Sequence, residues 1–209
     1  MAALQSGKVY IASMNMRGKW AEAPPKTTKI NVTSAQGTAN KNRRDFSPMT
    51  ETGYKGYYNF EAFWQSGKVY EEIPIEKTKA YWKKVKEPKR RYPGSKGKRV
   101  LHAQWSLEDG LEQGEIKMDY ITSRKLVYVP LYHEMMAMTE MAAFWKEKVE
   151  GGASVVVYDF DGPRLEDGEV TCLEVTAELL QEKLHDIRFP FGHGYVVAAH
   201  LAGLTIDLS

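Results

Sequence analysis

The run ASVVVYDF (153–160) decides the fold class. It is apolar at nearly every position and not at alternate ones, the pattern of a strand buried on both faces. Upstream, 131–150 is the longest helical pattern, with Met135, Met138, Met141 or Ala142, and Trp145 at i, i+3, i+4 spacings, stopped by Gly151-Gly152. Downstream, YDFDGPR (158–164) closes the strand. Asp-Gly-Pro there reads as a turn, although Asp159 and Asp161 at a strand end could also face Mg²⁺ or a ribose. Thr176 is placed to cap a helix over 177–185, and Gly192 and Gly194 lead into a last apolar helix that Gly203 ends. Toward the N-terminus, 9–13, 29–34, 99–105 and 125–130 read as strands, while 40–49, with its turn formers and Pro48, reads as irregular and 54–58 as a turn or edge strand. Asn59 caps a helix over 60–70, and a second runs 75–85. Strands and helices mix without strict alternation. The expected class is α+β, a helix-rich single domain over 1–209 with short strands, and α/β is the alternative.

At 209 residues, with 43% hydrophobic and 27% charged residues, the chain has ordinary globular composition, which excludes disordered, collagen-like and coiled-coil classes. No apolar run reaches the roughly 18 residues of a membrane span, and the first residues lack the basic start and apolar block of a secretion signal. The single cysteine, Cys172, allows neither an internal disulfide nor a thiolate zinc site, and no spacing among the five histidines suits a metal. A cytoplasmic setting follows, with no membrane partner, no metal and no cofactor expected.

The net charge of +2 hides a split: residues 1–104 carry 21 Lys and Arg against 8 Asp and Glu, and residues 105–209 carry 8 against 19. The segment 77–99 holds 11 basic residues and one acid, Glu87, interleaved with Tyr81, Trp82, Tyr92, Gly94 and Gly97. Such a block is a solvated face or a polyanion site; the aromatics favour bases and phosphates.

Within FEAFWQSGKVY (60–70), Glu61, Trp64, Gln65 and Lys68 fall at i, i+3, i+4 and i+7. On a helix that is one face bearing a carboxylate, an indole, an amide and an ammonium. Gly67 inside a helix costs about 1 kcal/mol relative to alanine, a cost tolerated where something must approach the backbone closely. An exposed Glu–Lys face with a partly buried Trp is the plain alternative.

The run DFSPM (45–49), the Gly–aromatic turn at 56–58 and the spacing E-x-x-x-Q-x-x-K at Glu61, Gln65 and Lys68 resemble the signature of the NADAR family, whose helix begins E-H-x-x-Q-x-x-K. Ala62 stands where the family commonly has His. The likeness covers about 45–70 and extends loosely to FGHGYVVAAHLAG (191–203), so the chain is similar to a divergent member whose core is 45–209, with 1–44 as an N-terminal extension packed on it.

The resemblance implies an N-glycosidase that cleaves the bond between an ADP-ribosyl or ribosyl-phosphate C1 and a nucleobase nitrogen. Its substrate classes are ADP-ribosylated guanine in nucleic acid and phosphoribosylamino-pyrimidine intermediates of riboflavin synthesis. Glu61 would stabilise positive charge at C1, orient the ribose hydroxyls or shuttle protons. Lys68 would serve as a covalent amine or a phosphate clamp, the former needing a depressed pKa from burial or from cations such as Lys55. Gln65 would hydrogen-bond a ribose or base, and Trp64 would stack on a base. Further substrate contacts fall on Arg44 and Ser47 beside the DFS element. They also fall on Gly192, His193 and Gly194, where glycines open a helix N-terminus to an anion, and on Lys96 in the basic loop PGSKGKR (93–99). The alternative function is a non-catalytic module that binds nucleic acid or ADP-ribose through 77–99.

Overall fold

In the computed structural model, which describes residues 6–34, 40–111 and 115–209, the fold is α+β. In chain order the elements are β1 (Val9–Ser13), β2 (Thr28–Asn31), α1 (Lys41–Phe46), α2 (Phe60–Ser66), β3 (Lys68–Tyr70), α3 (Ile75–Lys84), β4 (Val100–Ala103) and α4 (Tyr120–Ser123). A π-helical turn at Arg124–Tyr128 follows, then α5 (Val129–Ala137), α6 (Glu140–Glu150), β5 (Val155–Asp159), β6 (Cys172–Glu174), α7 (Ala177–His185) and α8 (His193–Leu201). The chain divides into two compact units: Pro48–Tyr128 forms one, and the chain up to Ser47 together with Val129–Ser209 forms the other.

The second of these is built on a four-stranded sheet of order β2-β5-β1-β6, in which β5 runs parallel to β1 and to β2 while β6 is antiparallel to β1. Every residue of β5 is buried. Helix α8 packs against β1 and β5. Val156 and Tyr158, on alternate positions of β5, join Ala12, Met14, Ala21 and Val170 in a separate cluster. Covering on both faces is why this strand reads as unbroken apolar sequence. Residues 1–44, expected as an extension packed on a core, supply β1 and β2 to this sheet, with β1 between β5 and β6. Nonpolar alternation in so short a strand does not reveal that it is central.

Three expectations are corrected. Residues 40–49 are not irregular throughout: Asn40 accepts a hydrogen bond from the Arg43 N–H and starts α1, and Pro48 lies past its end. The apparent strand at 125–130 is helical, from the π turn into α5, because its β-branched residues face a core that a helix buries equally well. The long helix over 131–150 breaks between α5 and α6, where Thr139 caps the second segment.

The other unit, Pro48–Tyr128, is organised by aromatic rings around α2. Tyr54 meets Phe60 and Phe63 edge-on at 5.1 and 5.2 Å, and Tyr128 meets Phe60 and Trp64 at 5.6 and 4.9 Å. Helix α3 packs on α2, burying Thr78 and Trp82, and β3 pairs antiparallel with β4. Asp109 is a buried polar anchor: its carboxylate accepts hydrogen bonds from the Tyr57 hydroxyl at 2.7 Å and from the Ser106 N–H and hydroxyl at 2.9 Å, and pairs with Lys79 at 2.8 Å. Burial alone would raise this carboxyl, but the donors from Lys79, Ser106 and Tyr57 outweigh it and hold Asp109 at about 2. Being depressed, its stabilisation is present above the ordinary value of 3.8 and is lost as pH falls through about 2. At neutral pH, Asp109→Asn costs about 3 kcal/mol by urea unfolding, since it leaves Lys79 without its charge partner. The gap between variant and parent closes in the acid range below 3.8.

Candidate functional site

The site is built from the start of α2 to the end of β3. The Asn59 side chain accepts from the Ala62 N–H at 2.8 Å and donates to the Met49 carbonyl at 2.8 Å, while the Glu61 N–H donates to the Pro48 carbonyl at 2.8 Å. These three bonds fix the first turn and place Glu61 there, where the helix dipole favours a carboxylate. One turn on, Gln65 Nε2 donates to Glu61 Oε1 at 2.7 Å.

Helix α2 ends at Ser66, so Lys68 does not continue the helical face as its spacing suggests. It opens β3, opposite Ala103. Gly67, expected as a helix-interior glycine kept open for a ligand, is the residue that ends α2, and what approaches it is Trp105: a Cβ at Gly67 would overlap the indole. Trp105 Nε1 donates to the Phe63 carbonyl at 3.0 Å, one of the carbonyls that a helix end leaves without an intrahelical partner.

Lys68 nevertheless stays with the group, its Nζ lying 5.8 Å from the centre of the Trp64 ring. Part of the side chain remains exposed. Burial pushes the ammonium below the ordinary lysine value of 10.5; the Glu61 carboxylate opposes that shift and the Arg91 guanidinium adds to it. Arg91 and Glu61 also act on the Tyr70 phenol, which burial raises and which meets Ser95. Arg91 and Tyr70 were not singled out from sequence; Arg91 was legible only as one of many basic residues in 77–99, and nothing marked Tyr70. Lys55, the expected neighbouring cation, lies instead over the Tyr54 ring and donates to the Gly110 carbonyl at 3.2 Å.

Trp64 is buried, with its ring stacked on Trp105 at 5.3 Å and edge-on to Tyr128. It therefore forms a wall beside Lys68. Lys96 is exposed just after the 3₁₀ turn Pro93–Ser95.

The remaining candidates belong to the sheet unit. Arg44 pairs with Asp45 at 2.7 Å, the second Asp45 oxygen accepting from the Met141 N–H at 3.2 Å, and Ser47 is buried at the end of α1. Gly192 and Gly194 do open the N-terminus of α8, and Asp159 fills it: its Oδ2 accepts from the Gly194 N–H at 2.9 Å and lies 3.4 Å from His193 Nδ1. A Cβ on Gly194 would come within 2.6 Å of the Asp159 Cβ, so the glycine makes room for this carboxylate. His193 Nε2 meets the Val32 carbonyl at 2.6 Å, so both of its ring nitrogens face oxygen atoms of the chain. Asp159, read from sequence as a strand-end carboxylate that could face Mg²⁺ or a ribose, thus provides the anion at that helix end.

Among the described residues, no group of three or more His, Cys, Asp or Glu side chains is arranged to hold a metal, and no helix is long and apolar enough to cross a membrane. Comparison with family models, curated proteins and solved structures returns no match to this chain.

Gly67→Ala is expected to destabilise the protein by about 2 kcal/mol in urea unfolding, by forcing Trp105 off its seat; Gly67→Ser should do the same. Between the lowered value of Lys68 and 10.5 the unfolded chain binds one more proton than the folded one, so folding stability rises with pH in that window. Lys68→Met removes that slope and is no less stable than the parent at neutral pH, as urea titrations from neutral pH upward to 10.5 will read.

Proposed function

We propose that this chain is an N-glycosidase that cleaves the C–N bond joining a nucleobase to an ADP-ribosyl or ribosyl-phosphate group. One observation carries the reading: a carboxylate held by a neighbouring amide, Glu61 with Gln65, shares its surroundings with a lysine whose proton is weakened by burial and by Arg91. The likeness of 45–70 to the NADAR signature names the reaction for which such a pair is suited.

In the reaction the electron pair of the C1–N bond passes to the base nitrogen, which takes up a proton, and C1 gains oxocarbenium character. Glu61 stabilises that charge from beside the ribose. The Gln65 amide holds one Glu61 oxygen in place, leaving the other to face the sugar. With its proton lost, the Lys68 amine attacks C1 and displaces the base, and the proton shed by the new C–N ammonium passes to the departing nitrogen; opening of the ribose gives an imine, which water hydrolyses to free the sugar and restore the amine. If the lysine remains protonated, water is the nucleophile, its proton passes through Glu61 to the departing base nitrogen, and Lys68 with Arg91 neutralises the phosphates. Weakened proton affinity favours the first route.

Incubation with ADP-ribosylguanosine and, separately, with a phosphoribosylamino-pyrimidine is expected to release the free base from one of them, followed by mass spectrometry. Glu61→Gln and Lys68→Ala should each lower release by about 100-fold or more, and a borohydride quench should trap sugar on Lys68. No release from either substrate, or full activity in both variants, would overturn the proposal.

A further inference from the structure

The basic segment sorts itself by face once α3 is formed. Thr78, Trp82 and Val85 turn inward and are buried. Lys79 and Lys83 share a second side with Glu76, bordering a cleft of about 510 Å³ with Asp109, so the nearby acids are gathered there. Lys77, Tyr81 and Lys84 occupy the third side at i, i+4 and i+7, with no acidic residue among them.

That third side connects to the loop that follows. The Tyr81 ring meets Tyr92 edge-on at 5.0 Å, and both rings are half-buried. Tyr92 is fixed by its own turn: its carbonyl accepts from the Ser95 N–H at 3.0 Å and the Ser95 hydroxyl at 2.7 Å, and its ring lies against Gly94. Beside it stand Arg90 and Arg91, both exposed, and Arg91 is the cation that acts on Lys68 and Tyr70. Of the segment's cations, Lys79, Lys89 and Lys98 are tied up with Asp109, Glu87 and Glu72. Lys77, Lys84, Arg90 and Arg91, which flank the two rings, are not among the ion pairs of the described residues.

We infer that this surface binds single-stranded nucleic acid, with phosphates on Lys77, Lys84, Arg90 and Arg91 and bases against Tyr81 and Tyr92. Unpaired cations alone would hold any polyanion. Two fixed rings set among them add a demand for exposed bases, which a duplex keeps stacked and a lipid headgroup lacks. The inference stands on the cations and rings and goes beyond the reaction proposed at Glu61, because strand binding requires no turnover.

The test is fluorescence anisotropy with a labelled oligothymidylate of about 15 nucleotides. Each phosphate contact on a single strand adds about 0.7 to the salt exponent. Four contacts should therefore weaken binding roughly 50-fold between about 50 and 200 mM salt. Lys77→Glu with Lys84→Glu should weaken it at least about tenfold. Tyr81→Ala should cost about fivefold and Tyr81→Phe nothing, since stacking needs the ring and not the hydroxyl. Circular dichroism checks that each variant is folded. Glu61→Gln should bind the strand like the parent, so loss of strand binding and loss of glycosidase activity are read separately. No binding in low salt would overturn the inference. So would equal affinity for an abasic strand of the same length, or for phosphatidylglycerol vesicles, with Tyr81→Ala unchanged.

Discussion

The indole of Trp105 against Gly67 is the contact on which the Pro48–Tyr128 unit turns. Its ring stacks on Trp64 and Phe63, and its N–H satisfies the Phe63 carbonyl. Because the indole occupies the space of a Cβ at Gly67, only glycine fits, and the chain leaves the helix there to enter β3. The Gly67 carbonyl then accepts from the Gln104 N–H at 2.7 Å, beside Trp105 itself. A helix end, a strand start and the seat of Lys68 are thus set by one aromatic side chain lying two residues past the end of β4.

At Lys68, stability and the proposed chemistry pull apart. An ammonium in a desolvated place is costly, and the compensating Glu61 acts through its field and is not a hydrogen-bonded partner of the amine. An apolar residue would fit that location at lower cost. Arg91 sharpens the effect by adding like charge from the loop after α3.

Asp159 shows the opposite use of a carboxylate. It is buried at the end of β5, capping α8 and facing His193, and its oxygen is occupied by the chain's own donors. Asp109 is used in the same way in the other unit. Glu61, by contrast, is only half-buried and holds one amide. Three carboxylates of similar chemistry separate by what surrounds them: two anchor structure, and one is left with capacity for a ligand.

Much of the fold was legible in the sequence wherever local chemistry is self-sufficient. Asn59, Thr176 and the apolar run of β5 announced a helix start, another helix start and a buried strand, because a cap needs only its own first turn and a doubly covered strand needs no polar position. The same letters placed Glu61 and Gln65 one turn apart, which is how they meet. Sequence did not show that α2 stops at Ser66, that Trp64 is walled in by Trp105 and Tyr128, or that Arg91 and Tyr70 stand by Lys68. Nor did it show that Gly192 and Gly194 make room for Asp159. Each of these depends on residues distant in the chain taking up the same space. A one-dimensional pattern carries the periodicity of a single element, while the protonation of Lys68 and the partner of a helix end are decided by what the tertiary fold packs against them.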